Sequence, residues 1–355
     1  MAGKFNWCSF TDVDLNDGFF NSLKEDYLEF SQWFAKKSSE GAKALVFSDD
    51  IGVGAFLYVK EENEQILLSD HSLPAKPRLK IGTLRIAERQ RGLRLGEGAI
   101  GVALWHWQLQ KVEEIYVTVF EKHELLISLF EQFGFSFAGY NNRHERVYIK
   151  NRNEIDYSSP SKAFPFIDPK FKVAGIVPIN DYYHDSLFPY SELKGVKEVE
   201  EDTARNGIKK VFIATPSSSL SYKLGEPVFV YRIYNGNGQK TFKSVVTSFC
   251  TITSIITVKA NRNPSMEFEE FLALAGNKTV YNENELKDIY TSHRNVILIE
   301  MIYNGFFGKG HNVTNRELVV SNLFLSHPYN IRYSKDEFST ILQMGDADEH
   351  NIIID

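Results

Sequence analysis

The octapeptide RGLRLGEG, residues 91–98, combines three glycines with two arginines between two apolar stretches. It follows the strand-like run IGTLRI and precedes the helix-like run AIGVALWHWQLQ. A helix N-terminus presents backbone N–H groups and the positive end of the helix dipole, and both attract anions. Glycine lets the backbone approach an anion closely because it has no Cβ, and Arg91 and Arg94 add positive charge. The segment therefore predicts a phosphate or pyrophosphate site, and the alternative is a simple flexible turn.

Two common phosphate-binding motifs do not fit this segment. A P-loop requires Gly-Lys-Ser/Thr, which the sequence lacks. A dinucleotide-binding fold places its glycines after the first strand of a parallel sheet. Here the glycines follow about the fourth strand, after a hairpin, so the ligand has to be inferred from the surrounding elements.

The apolar pattern around the turn predicts an α/β domain over residues 1–150. Helical spacing between Phe20 and Phe34 predicts one amphipathic helix, and KALVFSDDIGVGAFLYVK predicts a hairpin that turns at residues 49–52. The runs EQILLS, LKIGTLRIA, EEIYVTVF, SFAGY and ERVYIK predict further strands. KHELLISLFEQFGF predicts a second helix that ends at Gly134. The residues predicted on its buried side are Leu125, Leu126, Leu129, Phe130 and Phe133.

The order of these elements and the glycine turn resemble the GNAT family of acyl-CoA-dependent N-acetyltransferases. The family signature, Gln/Arg-x-x-Gly-x-Gly/Ala after an apolar strand, binds the pyrophosphate of coenzyme A. In this sequence Arg91 takes the first position and Gly96 the last, whereas Arg94 replaces the usual glycine at the fourth. The resemblance covers residues 42–150 and implies a GNAT-like mixed sheet flanked by helices.

A second family motif follows at the expected distance. LISLFEQFGF resembles the helix A-x-x-L-Y-x-x-x-G-F. Leu129, Phe130, Gly134 and Phe135 stand at its Leu, Tyr, Gly and Phe positions. The resemblance therefore implies acetyl-CoA as the cosubstrate and direct attack of an amine on its thioester. The cofactor-binding residues that it implies are Leu84, Ile86, Arg91, Gly92, Leu93, Arg94, Leu95, Gly96, Glu97 and Gly98.

Acetyl transfer to an amine is helped by a base that deprotonates the ammonium and an acid that protonates the thiolate. Family members often use Glu and the helix Tyr, but here the Tyr position is Phe130 and LKIGTLRI holds no acidic residue. The candidate catalytic residues are therefore His123, Glu121 and Tyr116, with Tyr140 as a further possible acid. The alternatives are a surface histidine, packing tyrosines, a water-mediated base, and a protein that binds acyl-CoA without turnover.

The second half of the chain has a different pattern. Residues 151–206 are rich in proline and charge and predict a connector, in which ELKGVKEVEEDTARNG forms a solvent-facing helix. Residues 207–355 are rich in short apolar strands, with two helices at MEFEEFLALAG and NENELKDIYTSH. Short strands with helical insertions predict a small β-barrel.

Two stretches of this half, LGEPVFVYRI and FKSVVTSFCTI, resemble the PUA-like superfamily, which includes ASCH and EVE domains. The resemblance implies a C-terminal PUA-like β-barrel that recognises RNA or a nucleotide-bearing substrate by stacking and base-edge hydrogen bonds. The alternative is that the aromatic residues fill the barrel and the lysines solvate its rim. The nucleic-acid candidates are Tyr231, Arg232, Lys240, Phe242, Lys243 and Ser244.

The composition limits the class of protein. The formal net charge of the 355 residues is -6, which argues against binding of a long duplex by counterion release. The two cysteines, Cys8 and Cys250, form neither a disulfide framework nor a metal cluster and indicate a reducing cytoplasm. No apolar run approaches the ~18 residues of a membrane span. The sequence thus predicts a cytoplasmic N-acetyltransferase without metal, whose amine acceptor is RNA-linked, a protein or a small molecule. The alternative is a non-catalytic, acyl-CoA-responsive nucleic-acid-binding or regulatory protein.

Overall fold

The computed structural model describes residues 5–191, 193, 203–217 and 220–354. The chain divides into two compact units, residues 1–155 and 156–355. The first unit is built on a seven-stranded sheet and the second on an eight-stranded sheet. Among the residues described, no helix has both the length and the apolar content for a bilayer crossing.

The described part of the first unit contains nine strands and four α-helices. In chain order they are β1 (Asn6–Ser9), α1 (Asn21–Asp26), α2 (Phe30–Ser39), β2 (Lys43–Asp49), β3 (Gly52–Glu62), β4 (Ile66–Leu67), β5 (Ser72–Leu73), β6 (Arg78–Ile86), α3 (Leu95–Leu109), β7 (Glu114–Val119), α4 (Glu124–Gln132), β8 (Ser136–Tyr140) and β9 (Arg146–Asn151).

The strand order of the first sheet is β1-β2-β3-β6-β7-β9-β8, while β4 and β5 form a separate hairpin. Neighbouring strands are antiparallel except β6 and β7, which are parallel. The predicted mixed sheet with flanking helices is therefore confirmed. Phe10, Phe20, Phe34 and Phe56 form the centre of a buried cluster against one part of this sheet.

The single helix predicted between Phe20 and Phe34 is in fact two helices. The chain is extended at Tyr27, with φ -135° and ψ 99°, so α1 ends there and α2 begins at Phe30. The apolar spacing survives the break because Phe20, Phe30 and Phe34 still pack into one cluster. Periodicity alone did not reveal the break.

The predicted end of α4 is confirmed, but one of its predicted core residues is wrong. Gly134 has φ +79° and the Phe135 N–H donates to the Phe130 carbonyl at 3.0 Å, which is the Schellman pattern of a helix end. Leu125 is 79% exposed, whereas Ile127, which was not predicted, is buried. A helix only nine residues long buries a narrow stripe, and Leu125 lies outside it.

The second unit contains eight strands and eight short α-helices among the described residues. They are α5 (Pro160–Ala163), β10 (Ala174–Asn180), α6 (Asp181–Leu187), α7 (Thr203–Asn206), β11 (Lys209–Ala214), β12 (Pro227–Ile233), α8 (Lys240–Lys243), β13 (Val245–Ala260), β14 (Asn263–Pro264), α9 (Phe268–Ala275), α10 (Glu283–Ser292), β15 (Val296–Phe306), β16 (Val313–Thr314), α11 (Asn315–Val320), β17 (Arg332–Tyr333) and α12 (Lys335–Met344).

The second sheet follows the open path β11-β15-β13-β12-β10-β17, with β14 and β16 paired to β13. Strands β11 and β17 stand at opposite ends, so the described strands do not close the predicted β-barrel. The two helices predicted within this half are confirmed as α9 and α10.

Part of the predicted connector belongs to this sheet. Strand β10 pairs in parallel with β12 along its length, whereas its pairing with β17 covers only Ala174 and Gly175. Proline cannot donate to a ladder, yet Pro178 is tolerated in β10 because it lies beyond the pairing with β17. Residues 192 and 194–202 of the predicted charged helix lie outside the described residues.

Candidate functional site

The central feature of the first unit is the separation of its two parallel strands. Strands β6 and β7 pair from Arg78 with Glu114 to Ile81 with Val117, and both strands continue beyond that point. Opposite β3, Tyr58 pairs with Thr83 and Val59 with Ile81, which leaves Gly82 as a β-bulge in β6. A bulge bends its strand. The strand ends therefore diverge directly after the last parallel pair.

A cavity of about 450 Å³ lies at this separation. Its walls come from β6, β7, α1, α2, the start of α4 and the turn between β8 and β9. The lining residues are Leu23, Asp26, Tyr27, Glu29, Phe30, Trp33, Lys80, Ile81, Gly82, Thr83, Leu84, Val117, Thr118, Val119, Phe120, His123, Leu126, Asn141, Asn142, Arg143 and Glu145.

The glycine turn leads from the end of β6 to the N-terminus of α3. Gly92 has φ +83° and Arg94 has φ +58° and ψ 18°, so both adopt the left-handed conformation. Arg94 is the position at which the motif usually has glycine, and the backbone keeps the geometry that glycine favours. The N-cap of α3, Arg94 itself, makes no side-chain capping hydrogen bond to the helix start.

The two arginines of the turn differ in their availability. Arg94 donates to both oxygens of Glu97, at 3.0 and 2.8 Å, and the two side chains are only 8% and 14% exposed. The Arg91 side chain is 71% exposed and pairs with the equally exposed Glu88 at 2.8 Å. An exposed ion pair contributes at most about 1 kcal/mol, so Arg91 can exchange Glu88 for another anion.

The remaining predicted cofactor residues have mixed surroundings. Leu84 lines the cavity, while Ile86 pairs with Ala55 in the sheet. A Cβ at Gly96 would lie 3.3 Å from Leu129 Cδ1, so packing against α4 explains this glycine. Leu95 and Gly98 are buried in the first turn of α3, whereas Gly92 is exposed and Leu93 is half-buried.

Of the three predicted catalytic residues, His123 lines the cavity. It stands immediately before α4, and partial desolvation followed by the nearby charge of Lys122 lowers its pKa. Glu121 is exposed and pairs with Arg146. Tyr116 is directed into a buried cluster and donates to Glu62.

A buried phenylalanine occupies the tyrosine position of the helix motif on α4. Phe130 is fully buried, and its ring centroid lies 5.1 Å from that of Phe135. The ring therefore belongs to the core and offers no proton to the cavity.

The cavity wall also contains polar residues that were not predicted from the sequence, and three of them form one hydrogen-bonded group. The Tyr27 hydroxyl donates to Glu145 Oε1 at 2.6 Å, and Asn141 Nδ2 donates to Glu145 Oε2 at 2.7 Å. Glu145 is 4% exposed. Burial, followed by the hydrogen bond to this carboxylate, raises the pKa of Tyr27. The only sequence signal was the polar turn NNRHE between two strands.

Lys80 is a cation in the same wall, two residues before the bulge. Desolvation lowers its pKa, although Glu62 at 3.9 Å opposes the shift. Its ammonium also lies 5.1 Å from the ring centroid of Tyr116. The ammonium of Lys80 thus gives up its proton more readily than that of an ordinary lysine.

In the second unit, the predicted nucleic-acid residues are divided between interior and surface. Tyr231 is 6% exposed and packs in the apolar core against Phe324. Arg232 donates to both oxygens of Asp185, at 2.7 and 2.8 Å, and Ser244 is buried.

Lys240, Phe242 and Lys243 belong to the short surface helix α8. Lys243 lies over the ring of Tyr234 at 4.5 Å, and Arg316 lies over Phe242 at 5.1 Å. The predicted six residues therefore do not form one exposed patch.

Comparison with known proteins gives no assignment from sequence, because no family model and no curated protein matches the chain. Solved structures similar to it include Ard1 from Thermoplasma volcanium, with 14% identity, 42% of this chain and 98% of that chain covered, and a TM-score of 0.33. An N-acetyltransferase from Staphylococcus aureus Mu50 has 12% identity, coverages of 43% and 99%, and a TM-score of 0.32. The PaiA N-acetyltransferase from Thermoplasma acidophilum, in complex with coenzyme A, has 14% identity, coverages of 42% and 99%, and a TM-score of 0.31.

Proposed function

We propose that the first unit is an N-acetyltransferase that uses acetyl-CoA. The observation that carries this proposal is the divergence of β6 and β7 at Gly82, which opens onto the cavity and is followed along the chain by the glycine turn and α3. Acetyl-CoA would supply an acetyl thioester. The backbone of residues 84–86, the N-terminus of α3 and the exposed Arg91 would hold it.

The residues of the cavity match the proton transfers that the reaction needs. The acceptor ammonium loses a proton, its nitrogen bonds to the acetyl carbon as the C–S bond breaks, and the thiolate leaves and is protonated. The lowered pKa of His123 favours the uncharged imidazole, which can accept a proton. Lys80 is a cation of lowered pKa, and its ammonium can donate a proton to the leaving thiolate.

One observation favours a second function, the binding of acyl-CoA without turnover. The helix position that supplies the acid in many GNAT relatives is the fully buried Phe130. Recognition of RNA by the second unit stays a prediction from sequence, because three of its six candidate residues, Tyr231, Arg232 and Ser244, are buried.

Calorimetric titration of acetyl-CoA, CoA and ATP into the full chain tests the proposal. Arg91→Glu should weaken acetyl-CoA binding about tenfold or more, because a charge-assisted hydrogen bond to a phosphate is worth about 1.5–3 kcal/mol. Lys36→Glu is the matched control, since Lys36 is also 71% exposed and also paired with a glutamate, Glu40. Gly96 is left unchanged because any side chain there would press on Leu129.

Three results would decide the matter. Acetyl-CoA binding that Arg91→Glu loses and Lys36→Glu retains supports the site. Binding of acetyl-CoA without thiol release from any amine supports the second function. No binding to the wild-type protein contradicts both.

A further inference from the structure

Two segments that are distant in the sequence are joined at the cavity wall. Residues 27–29 connect α1 to α2, and residues 141–145 connect β8 to β9. The Tyr27 hydroxyl donates to Glu145 at 2.6 Å, and Arg143 donates to Glu29 at 2.5 Å. All four residues line the cavity. A polypeptide chain that entered between the two segments would have to break both bonds.

The carboxylate of Glu145, which takes part in one of these two bonds, is held in a fixed position. Glu145 accepts one hydrogen bond on each oxygen, from Tyr27 and from Asn141. The Glu145 N–H also donates to Asn141 Oδ1 at 3.0 Å, which fixes the turn against its own side chain. A carboxylate has about four lone-pair positions, so Glu145 keeps the capacity to accept from an ammonium.

Other residues that line the cavity limit the kind of substituent that the amine can carry. Leu23, Phe30 and Trp33 supply an apolar, largely aromatic wall to the same cavity. A cavity of about 450 Å³ lies at the small end of the range for small-molecule sites, about 300–1,000 Å³. The contents that fit are a thioester end and an amine with a compact apolar substituent.

We infer that the acceptor is a small primary amine with an apolar or aryl substituent, that Glu145 receives its ammonium, and that Glu145, rather than His123, removes its proton. The hydrogen bond Tyr27–Glu145 and the exposed ion pair Glu29–Arg143 together oppose the entry of polypeptide acceptors. This inference rests on the proposed function, since it concerns the second substrate of the same reaction. The proton of the ammonium passes to the carboxylate before the nitrogen attacks the acetyl carbon.

The experiment measures kcat/KM at saturating acetyl-CoA for two probes, 2-phenylethylamine and a ten-residue peptide with a free N-terminus and one lysine. The wild-type chain should prefer 2-phenylethylamine by about twentyfold or more. Arg143→Ala should reduce that preference about two- to fivefold, because it removes the exposed ion pair, the weaker of the two bonds. Lys36→Ala, which removes an exposed ion pair elsewhere on α2, should leave the preference unchanged.

A second pair of variants tests the carboxylate. Glu145→Gln keeps the size of the side chain and should lower kcat for 2-phenylethylamine by about 100-fold or more, the usual worth of a general base. Its acetyl-CoA affinity should stay within about twofold of wild type. Glu131→Gln is the matched control, because Glu131 also accepts from a tyrosine hydroxyl, that of Tyr148 at 2.8 Å. It should change kcat by less than about threefold.

Three outcomes would overturn the inference while leaving acetyl-CoA binding intact. They are a wild-type preference for the peptide, equal effects of Glu145→Gln and Glu131→Gln, and absence of turnover with 2-phenylethylamine. Failure of the wild-type chain to bind acetyl-CoA would instead contradict the proposed function on which the inference depends.

Discussion

Each unit contains a cluster of hydrogen-bonded polar side chains. The cavity cluster of the first unit is Tyr27, Asn141 and Glu145, and the interior cluster of the second is Asp185, His184 and Arg232. The two clusters contain similar groups but differ in how accessible they are to a ligand. In the first, Glu145 is held by Tyr27 and Asn141 at the edge of a cavity. In the second, Asp185 accepts from Arg232 and bonds to His184 at 2.8 Å.

The interior cluster has the order of a catalytic triad. His184 Nε2 lies 2.7 Å from Thr247 Oγ1, so a carboxylate, an imidazole and a hydroxyl stand in line. Yet His184 and Thr247 are fully buried, and a nucleophile must reach its substrate. The two clusters therefore contain similar residue types and differ in access, since the first lines a cavity and the second is enclosed in the interior.

The largest expected effect comes from breaking the interior cluster. Arg232→Met leaves Asp185 as a buried charge without its guanidinium partner, and such losses cost about 3–5 kcal/mol. Urea unfolding should show this loss in the free energy of unfolding of the second unit. Arg316→Met, which removes a cation over the exposed ring of Phe242, should cost less than about 1 kcal/mol. If both variants lost the same free energy of unfolding, the pair of Arg232 and Asp185 would contribute no more than a surface contact.

The interior cluster should also make stability depend on pH. Burial lowers the pKa of His184, and the neighbouring Asp185 only partly opposes this shift. The unfolded chain therefore binds more protons than the folded chain below the ordinary histidine pKa of about 6.5, and stability falls as the pH decreases through that value. Above it, the contribution is complete. The slope for one histidine reaches at most about 1.4 kcal/mol per pH unit.

Denaturant unfolding between pH 7.5 and 5 checks this prediction. His184→Gln should flatten the acid side of the stability profile, whereas His123→Gln should change it less, because His123 is exposed and only partly desolvated. Asp185 does not interfere, since its lowered pKa acts below about pH 4. If His184→Gln left the slope unchanged, the folded chain would protonate His184 as readily as the unfolded chain does, and the prediction would be wrong.

A smaller effect on stability and kinetics should distinguish a tyrosine that lines the cavity from one that does not. Tyr27→Phe and Tyr148→Phe each remove one hydroxyl that donates to a glutamate, at 2.6 and 2.8 Å respectively. Each should lower the free energy of unfolding by about 1 kcal/mol. Only Tyr27→Phe should also lower kcat/KM for the acceptor, because only Tyr27 lines the cavity. If the two variants had the same kinetics, Tyr27 would have no part in positioning Glu145.

The parts of the molecule that depend on local pattern could be predicted from the sequence. Helix α4 ends at Gly134 as expected because a glycine C-cap is a local device. The hairpin of β2 and β3 follows from two apolar runs joined by the turn at residues 49–52.

The acceptor side of the candidate site could not be predicted in the same way. Tyr27 and Glu145 are separated by 118 residues, and each had an ordinary explanation in its own segment, as a helix residue and as the start of a strand. Their proximity depends on the break between α1 and α2 and on the order of the strands. Strand β10 was missed for the converse reason, because the prolines and charges of residues 151–206 indicated a connector and the neighbouring strands override this local signal.

The left-handed backbone of Arg94 in the glycine turn gives a further prediction. Arg94 adopts φ +58°, and a left-handed conformation costs a residue with a Cβ about 1–2 kcal/mol. Arg94→Gly and Arg94→Ala both remove the pair with Glu97, so their difference isolates the backbone term. Urea unfolding should find Arg94→Gly more stable than Arg94→Ala by about 1 kcal/mol. Equal stabilities would mean that the turn relaxes out of the left-handed region once the guanidinium is gone, and that Glu97 and Arg94 hold the backbone there together.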